Sequence, residues 1–232
     1  MKNVFPILPA VLLSIFTVIS AQAQTEGFNV KTPIDTLSDN SSKFLNDISA
    51  NAKIDPKNSI PQDIICRAEC YLVIPSVKTI PSRHDFAGSG LLGCRTADSG
   101  KLTPPIFFQI TNLDSFNESG GGLIILVMDR KGVKSILGDQ LQLTPDNATG
   151  GRVGSESDVK TLKSFIAYAR PAGNAIQGFD ASGSTLVYGS GDTFNAYQQD
   201  LDPIDIILFG IDVPPVLRGF NTSLEGLRKG CK

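Results

Sequence analysis

Ile60-Pro61-Gln62-Asp63-Ile64-Ile65-Cys66-Arg67-Ala68-Glu69-Cys70-Tyr71-Leu72-Val73-Ile74-Pro75 changes its period halfway along. In the first half Ile60, Ile64, Ile65 and Ala68 recur at helical spacing, the buried stripe of a short helix. Ser59 and Gln62 stand where a capping serine and a back-reaching glutamine would start that helix. In the second half Tyr71-Leu72-Val73-Ile74-Pro75 is an unbroken apolar run, short enough for a strand. A helix that runs straight into a strand is the pattern on which the rest of the chain is read.

Toward the N-terminus, a turn at Asp55-Pro56-Lys57-Asn58 separates this helix from a longer one. Thr32 can cap it, Pro33 suits its first position, and Asp35 suits the positive end of its dipole. Leu37, Phe44, Leu45 and Ile48 carry its apolar face to about Ala52. Residues 24–31 read as a linker. Residues 1–23 read as a cleavable signal peptide: Lys2, an apolar stretch from Val4 to Ile19, then Ala21-Gln22-Ala23. Pro6 and Pro9 interrupt the stretch and a polar exit follows, which disfavours a membrane anchor.

Toward the C-terminus the character becomes strand-like. Phe86 to Cys94 is glycine-rich and apolar, and Pro105 to Thr111 is a further strand. Leu123 to Met128 is apolar on both faces and therefore central. Asp129 caps a helix with Val133, Ile136 and Leu137, closed by Gly138. Residues 144–158 are polar and glycine-rich, hence loop. Ser164 to Arg170 and Ala181 to Val187 are expected to pair as strands. Pro214-Pro215 opens a last helix whose face is Val216, Leu217, Phe220, Leu224 and Leu227. Helices at both ends of a strand-rich middle predict an α+β fold over residues 32–232: one domain, with a glycine-containing antiparallel sheet or barrel-like core flanked by N- and C-terminal helices.

Charge and chemistry narrow the function. With 21 basic and 23 acidic residues the chain has no global attraction for nucleic acid or anionic lipid. Four cysteines in a chain read as exported favour two disulfides. Cys66 and Cys70 could be half of a metal site, but the single histidine, His84, and the scattered remaining cysteines do not complete one. Four sequons, at Asn40, Asn117, Asn147 and Asn221, matter only in a eukaryotic secretory pathway. Gly88-Ser89-Gly90-Leu91-Leu92-Gly93 fits the dinucleotide fingerprint by letter. The residues after it, Cys94 to Gly100, read as strand end and turn rather than helix, so the glycines are expected to serve close packing. His84 lies in a polar loop, and paired carboxylates such as Asp200 and Asp202 are commonplace. No catalytic residue, metal ligand or cofactor is assigned, and the chain is read as a non-enzyme.

The order of several short motifs resembles the SYLF, or lipid-binding SYLF, family. Ile60 to Ile65, Ala68-Glu69-Cys70 and Val73 to Lys78 are similar to its opening. The glycine strand ending in Cys94-Arg95, Pro105-Ile106-Phe107-Phe108, Leu123 to Met128, Gly132-Val133, Tyr168-Ala169-Arg170 and Val213-Pro214-Pro215 follow in family order, from about Thr36 to Leu227. There are departures. The stretch Ser115 to Gly120 is shortened, Ser155 stands where the family has arginine, and Asn174, Gln177 and Asp180 interrupt an apolar segment.

The resemblance implies binding of membrane lipid: a phospholipid, a phosphoinositide-like headgroup or a fatty acyl chain. Contacts are sought among Lys43, Lys53, Lys57, Lys78 and Arg152. The first three are offset by Asp35, Asp39 and Asp47, a weak polybasic anchor. For an exported bacterial member no actin partner is expected, and envelope proteins are possible partners in the periplasm or outside the cell. Cys70 and Cys94 match cysteines that recur in the family and are expected to face each other, which leaves Cys66 for Cys231. The leading expectation is an exported, non-catalytic lipid-binding protein of the cell envelope. The alternatives are an envelope structural or protein-interaction module that keeps the fold without a lipid site, and an unrecognised hydrolase.

Overall fold

The computed structural model describes residues 33–82, 85–96, 100–113, 116, 121–154, 163–172 and 175–231. The leader, the linker, Thr32, His84, Asn117, Ser155 and Asn174 lie outside them. Helix α1 (Ile34–Ile54) buries Leu37, Phe44, Leu45 and Ile48, the face expected from its period. Pro33 is its N-cap, and the Leu37 N–H donates to the Pro33 carbonyl at 2.9 Å. After a 3-10 turn at Pro56–Asn58 comes α2 (Gln62–Arg67). The capping box expected at Ser59 and Gln62 does not form. The Ser59 hydroxyl instead donates to the Pro56 carbonyl at 2.8 Å, because the 3-10 turn brings that acceptor within reach. Pro61, one residue before α2, is its N-cap and offers no side-chain bond.

The switch from helix to strand occurs where the sequence changes period. α2 ends at Arg67 and β1 (Cys70–Ile74) begins three residues later, all five of its residues buried. The Tyr71 hydroxyl turns back to donate to the Ile65 carbonyl at 2.6 Å and lies 3.3 Å from that of Ala68. Carbonyls at a helix C-terminus lack intrahelical partners, and here a strand side chain supplies one.

The remaining strands are β2 (Lys78–Ile80), β3 (Asp85–Cys94), β4 (Ile106–Leu113), β5 (Gly121–Val127), β6 (Gln140–Gln142), β7 (Ala148–Gly150), β8 (Phe165–Pro171), β9 (Gln177–Gly178) and β10 (Thr185–Tyr188). They form one curled sheet, a half-barrel, in the order β6-β10-β4-β3-β1-β5-β8-β7, with β2 on β3 and β9 on β8. The fold is α+β, a single domain with helices at both ends.

Three expectations are corrected. The sheet is mixed rather than antiparallel, since β7 runs parallel to β8. That parallel strand lies inside the segment read as loop. β8 and β10 do not pair: β8 is bonded to β5, β7 and β9, and β10 to β4 and β6. Apolar patterning identifies a strand but is silent on its neighbour, and β5 and β7 already occupy the sides of β8.

Helix α3 (Arg130–Ile136) starts as expected, with the Asp129 carboxylate accepting from the Gly132 N–H at 2.7 Å. It closes at Leu137, one residue before Gly138. Helices α4 (Ser190–Tyr197) and α5 (Pro203–Leu208) were not anticipated. A 3-10 turn at Pro215–Leu217 leads into α6 (Arg218–Leu227).

Glycines set how closely these layers approach. A Cβ on Gly93 would lie 2.7 Å from Leu224 and 3.3 Å from Phe220, so α6 rests directly on β3. One on Gly122 would lie 2.3 Å from the Phe44 ring, so α1 rests on β5 in the same way. α1 and α6 pack against each other, and α6 buries Phe220, Leu224 and Leu227. Each such side chain contributes about 1.5–3 kcal/mol, and Phe220→Ala would cost about 3–5 kcal/mol.

The four cysteines form two disulfides at one corner. Cys70 and Cys94 are directly opposite in the β1–β3 ladder, and Cys66 bonds Cys231 across a Cα separation of 5.1 Å. These are the pairs expected. Disulfides are compatible with export to an oxidising compartment. Among the described residues no helix is long and apolar enough to cross a membrane.

Candidate functional site

α1 crosses the end of the β5–β8 pair, and a groove opens between them. Asn40, Lys43, Phe44 and Asp47, at helical spacing, form one wall. Gly121 and Gly122, paired with Pro171 and Arg170 across the β5–β8 ladder, lie on the sheet side. Pro75 and Ser76, just past β1, complete a groove of about 280 Å³.

Gly121 has φ of +134°, and a Cβ there would lie 2.5 Å from the Arg170 carbonyl. Any side chain at this position would be strained and would collide with its neighbour strand.

The electrostatics are set by three charges. Arg170 is the penultimate residue of β8, and its Nη1 donates to Asp47 Oδ2 at 2.9 Å. Its Nε is buried without a partner among the described residues. Lys43, exposed on α1, is the third, so the groove has one net positive charge. A second groove of about 280 Å³ lies beyond Arg170, lined by Asn51, Ile54, Asp55, Asn58 and Ile176. Arg170 thus borders both, and the α1 face from Lys43 through Asp47 and Asn51 to Ile54 runs along them. Ile54 is 81 % exposed.

The basic residues singled out from sequence do not converge. Lys43 lines the first groove. Lys53 is exposed in the last turn of α1, where a cation suits the dipole. Lys57 is exposed in the 3-10 turn. The loop carrying Arg152 packs on that turn, with the Gly154 N–H donating to the Ser59 carbonyl at 2.9 Å. Arg152 is exposed, and its carbonyl lies 3.4 Å from the Tyr168 hydroxyl. Lys78 is exposed on β2, opposite Ala87.

Arg170, Phe44 and the Gly121-Gly122 pair were missed as site residues. The signal was there, in an arginine near the end of an otherwise apolar strand, since a partly buried cation calls for a partner. A denser cationic cluster, Arg130, Lys131 and Lys134, lies on α3 beside Ser135. It is open and has neither glycine floor nor aromatic wall among the residues lining it.

Several chemistries find no footing here. Gly88 to Gly93 lies wholly inside the buried strand β3. A Cβ on Gly90 would lie 2.4 Å from the Val73 carbonyl, so this glycine lets β3 approach its neighbour and opens no phosphate turn. Every cysteine is disulfide-bonded, leaving none as nucleophile or metal ligand. Burial pushes the phenols of Tyr71, Tyr168, Tyr188 and Tyr197 above their ordinary range. They serve as hydrogen-bond donors rather than bases. No model of a known protein family matches the chain, and no curated protein matches it.

Proposed function

We propose that this is an exported, non-catalytic lipid-binding protein of the cell envelope, which holds the phosphodiester of an anionic phospholipid in the groove between α1 and the β5–β8 end. The observation that carries the reading is Arg170, whose buried Nε lacks a partner among the described residues, beside Lys43 and a glycine floor. A monoanionic phosphodiester matches one net positive charge. Guanidinium N–H groups and backbone close to Gly121 suit its oxygens. The groove has headgroup dimensions, so the acyl chains would stay in the bilayer, and the exposed Ile54 would sit at the interface. The SYLF-like order of motifs, with Arg170 in its Tyr-x-Arg strand, supports the same reading.

The test is co-sedimentation of the mature protein with phosphatidylcholine vesicles, with and without phosphatidylglycerol. Binding to the mixed vesicles should fall about fivefold for Lys43→Ala and further for Arg170→Gln, since each interfacial cation contributes about 1 kcal/mol. Lys131→Ala/Lys134→Ala should leave it unchanged. The reverse pattern would move the site to α3, and equal binding to both vesicles would remove the headgroup from the account. The second reading, a protein-interaction module, is favoured by a different surface, the exposed apolar cluster on α4 and α5.

A further inference from the structure

α5 buries Pro203 and Ile206 and turns Ile204 and Leu208 outward, one helical turn apart. Phe209 follows. These three side chains are 50 %, 66 % and 72 % exposed, and Phe194 on α4 is 49 % exposed. The Tyr188 hydroxyl, which donates to the Leu201 carbonyl, lies close to both Thr193 of α4 and the aspartates around α5. The two helices therefore flank one point of the sheet. Exposed apolar clusters of this kind mark contact surfaces.

The charges around the cluster select its occupant. From residue 171 to residue 217 the chain has no Lys, Arg or His. Asp200, Asp202 and Asp212 are exposed, and Asp205 lies in α5 itself. An anionic bilayer would be repelled by this rim. A second copy docked face to face would set aspartate against aspartate. A basic partner gains on both counts.

We propose that the α4–α5 surface docks a cationic amphipathic helix of another protein, with its apolar face on Ile204, Leu208 and Phe209 and its Lys or Arg side chains over Asp200, Asp202 and Asp212. The proposal does not rest on the headgroup reading, because the two surfaces share no residue.

The experiment is fluorescence anisotropy with the mature, oxidised protein. The probe is a labelled Leu/Lys peptide with one apolar face, and the control is a peptide of equal charge without leucine. The amphipathic probe should bind at least about tenfold tighter than the control. Leu208→Ser/Phe209→Ser should weaken its binding by about tenfold or more, the scale for losing central apolar anchors. Asp200→Asn/Asp212→Asn, which leaves the apolar cluster intact, should weaken binding and flatten its salt dependence, and Lys43→Ala should change neither. Unchanged binding by Leu208→Ser/Phe209→Ser overturns the proposal. So does loss of vesicle binding in that variant, which would make the patch a membrane insert, or loss of a concentration-dependent dimer, which would make it a self-contact.

Discussion

The corner where α2, β1, β3 and α6 meet and the α4–α5 segment are held by opposite means. At the corner two disulfides join α2, β1, β3 and the segment after α6, Tyr71 ties α2 to β1, and the Arg228 guanidinium lies 5.9 Å from the Tyr71 ring centre. Glu69 and Arg95 form an ion pair beside it at 3.2 Å. The α4–α5 segment has no covalent tie. Tyrosine hydroxyls fasten it, Tyr197 to the Pro105 carbonyl at 2.7 Å and Tyr188 to that of Leu201, and it leaves Leu208 and Phe209 mostly in solvent. The covalent ties lie at the corner, and four of the exposed large apolar side chains lie on the α4–α5 segment. A surface kept for a partner has this character, because burying it internally would remove it from use.

The sharpest way to break the contrast is to cut the staple between Cys66 and Cys231. These residues are 165 apart in sequence, and the chain-entropy model gives about 5 kcal/mol for such a closure. Cys66→Ser/Cys231→Ser should lower the urea unfolding free energy by up to that amount. Cys70→Ser/Cys94→Ser, closing 24 residues, should cost up to about 3.5 kcal/mol. If the shorter closure proved the costlier, native packing rather than chain entropy would dominate the corner.

Gly90→Ala comes next. Its methyl group meets backbone, not a flexible chain end, so a loss of about 1–3 kcal/mol is expected in the same measurement. A neutral result would show that β3 can slide away from β1, and the close-packing account of this glycine would fail.

Tyr71→Phe should cost about 1 kcal/mol for the hydrogen bond it removes. It should also change the response to alkali. In the unfolded chain the phenol releases its proton near pH 10, whereas burial holds the folded phenol above that value. Its contribution is therefore fully present below pH 10 and is lost as pH rises through the folded value. Unfolding midpoints followed from pH 8 to about pH 11 should be flat and then fall. The fall should be shallower in Tyr71→Phe; identical slopes would place the alkaline loss on other tyrosines.

The smallest effect is expected at the other pole. Leu208→Ser and Phe209→Ser remove side chains that are mostly in solvent, and each should shift stability by no more than about 0.5 kcal/mol. A loss several times larger would mean that the patch is packed in solution, and would dissolve the contrast.

Legibility in the sequence followed the range of the interaction. The Asp129 cap lies three residues from the N–H it accepts, and β1 and β5 are single apolar runs, so these elements were readable. α5 has a readable start: Pro203 follows Asp202, and the Asp205 carboxylate accepts from the Asp202 N–H at 3.2 Å. α4 gave little signal, since Ser190-Gly191-Asp192-Thr193-Phe194-Asn195-Ala196-Tyr197 has no apolar stripe and a helix-disfavouring glycine. The candidate groove was half readable. Lys43 was named, but that Arg170 would meet Asp47 across 123 residues has no local trace.

The helix-to-strand switch at residues 60–75, the apolar face of α1, the Phe220, Leu224 and Leu227 face of α6 (Val216, expected with them, is exposed in the preceding 3-10 turn), the glycine strand and the supply of four cysteines are all written in the local sequence. These depend on side-chain period, caps and composition within a few residues, where the backbone's own hydrogen bonding decides the outcome. Packing decides that β8 pairs with β5 and not with β10, that β7 joins it in parallel, which lysine faces the groove, and that α5 buries Ile206 while Ile204 and Leu208 stay outside. Each of those is a choice among partners distant in the chain. A strand or a charge offers the same edge or the same field to any of them until packing and burial leave one in place.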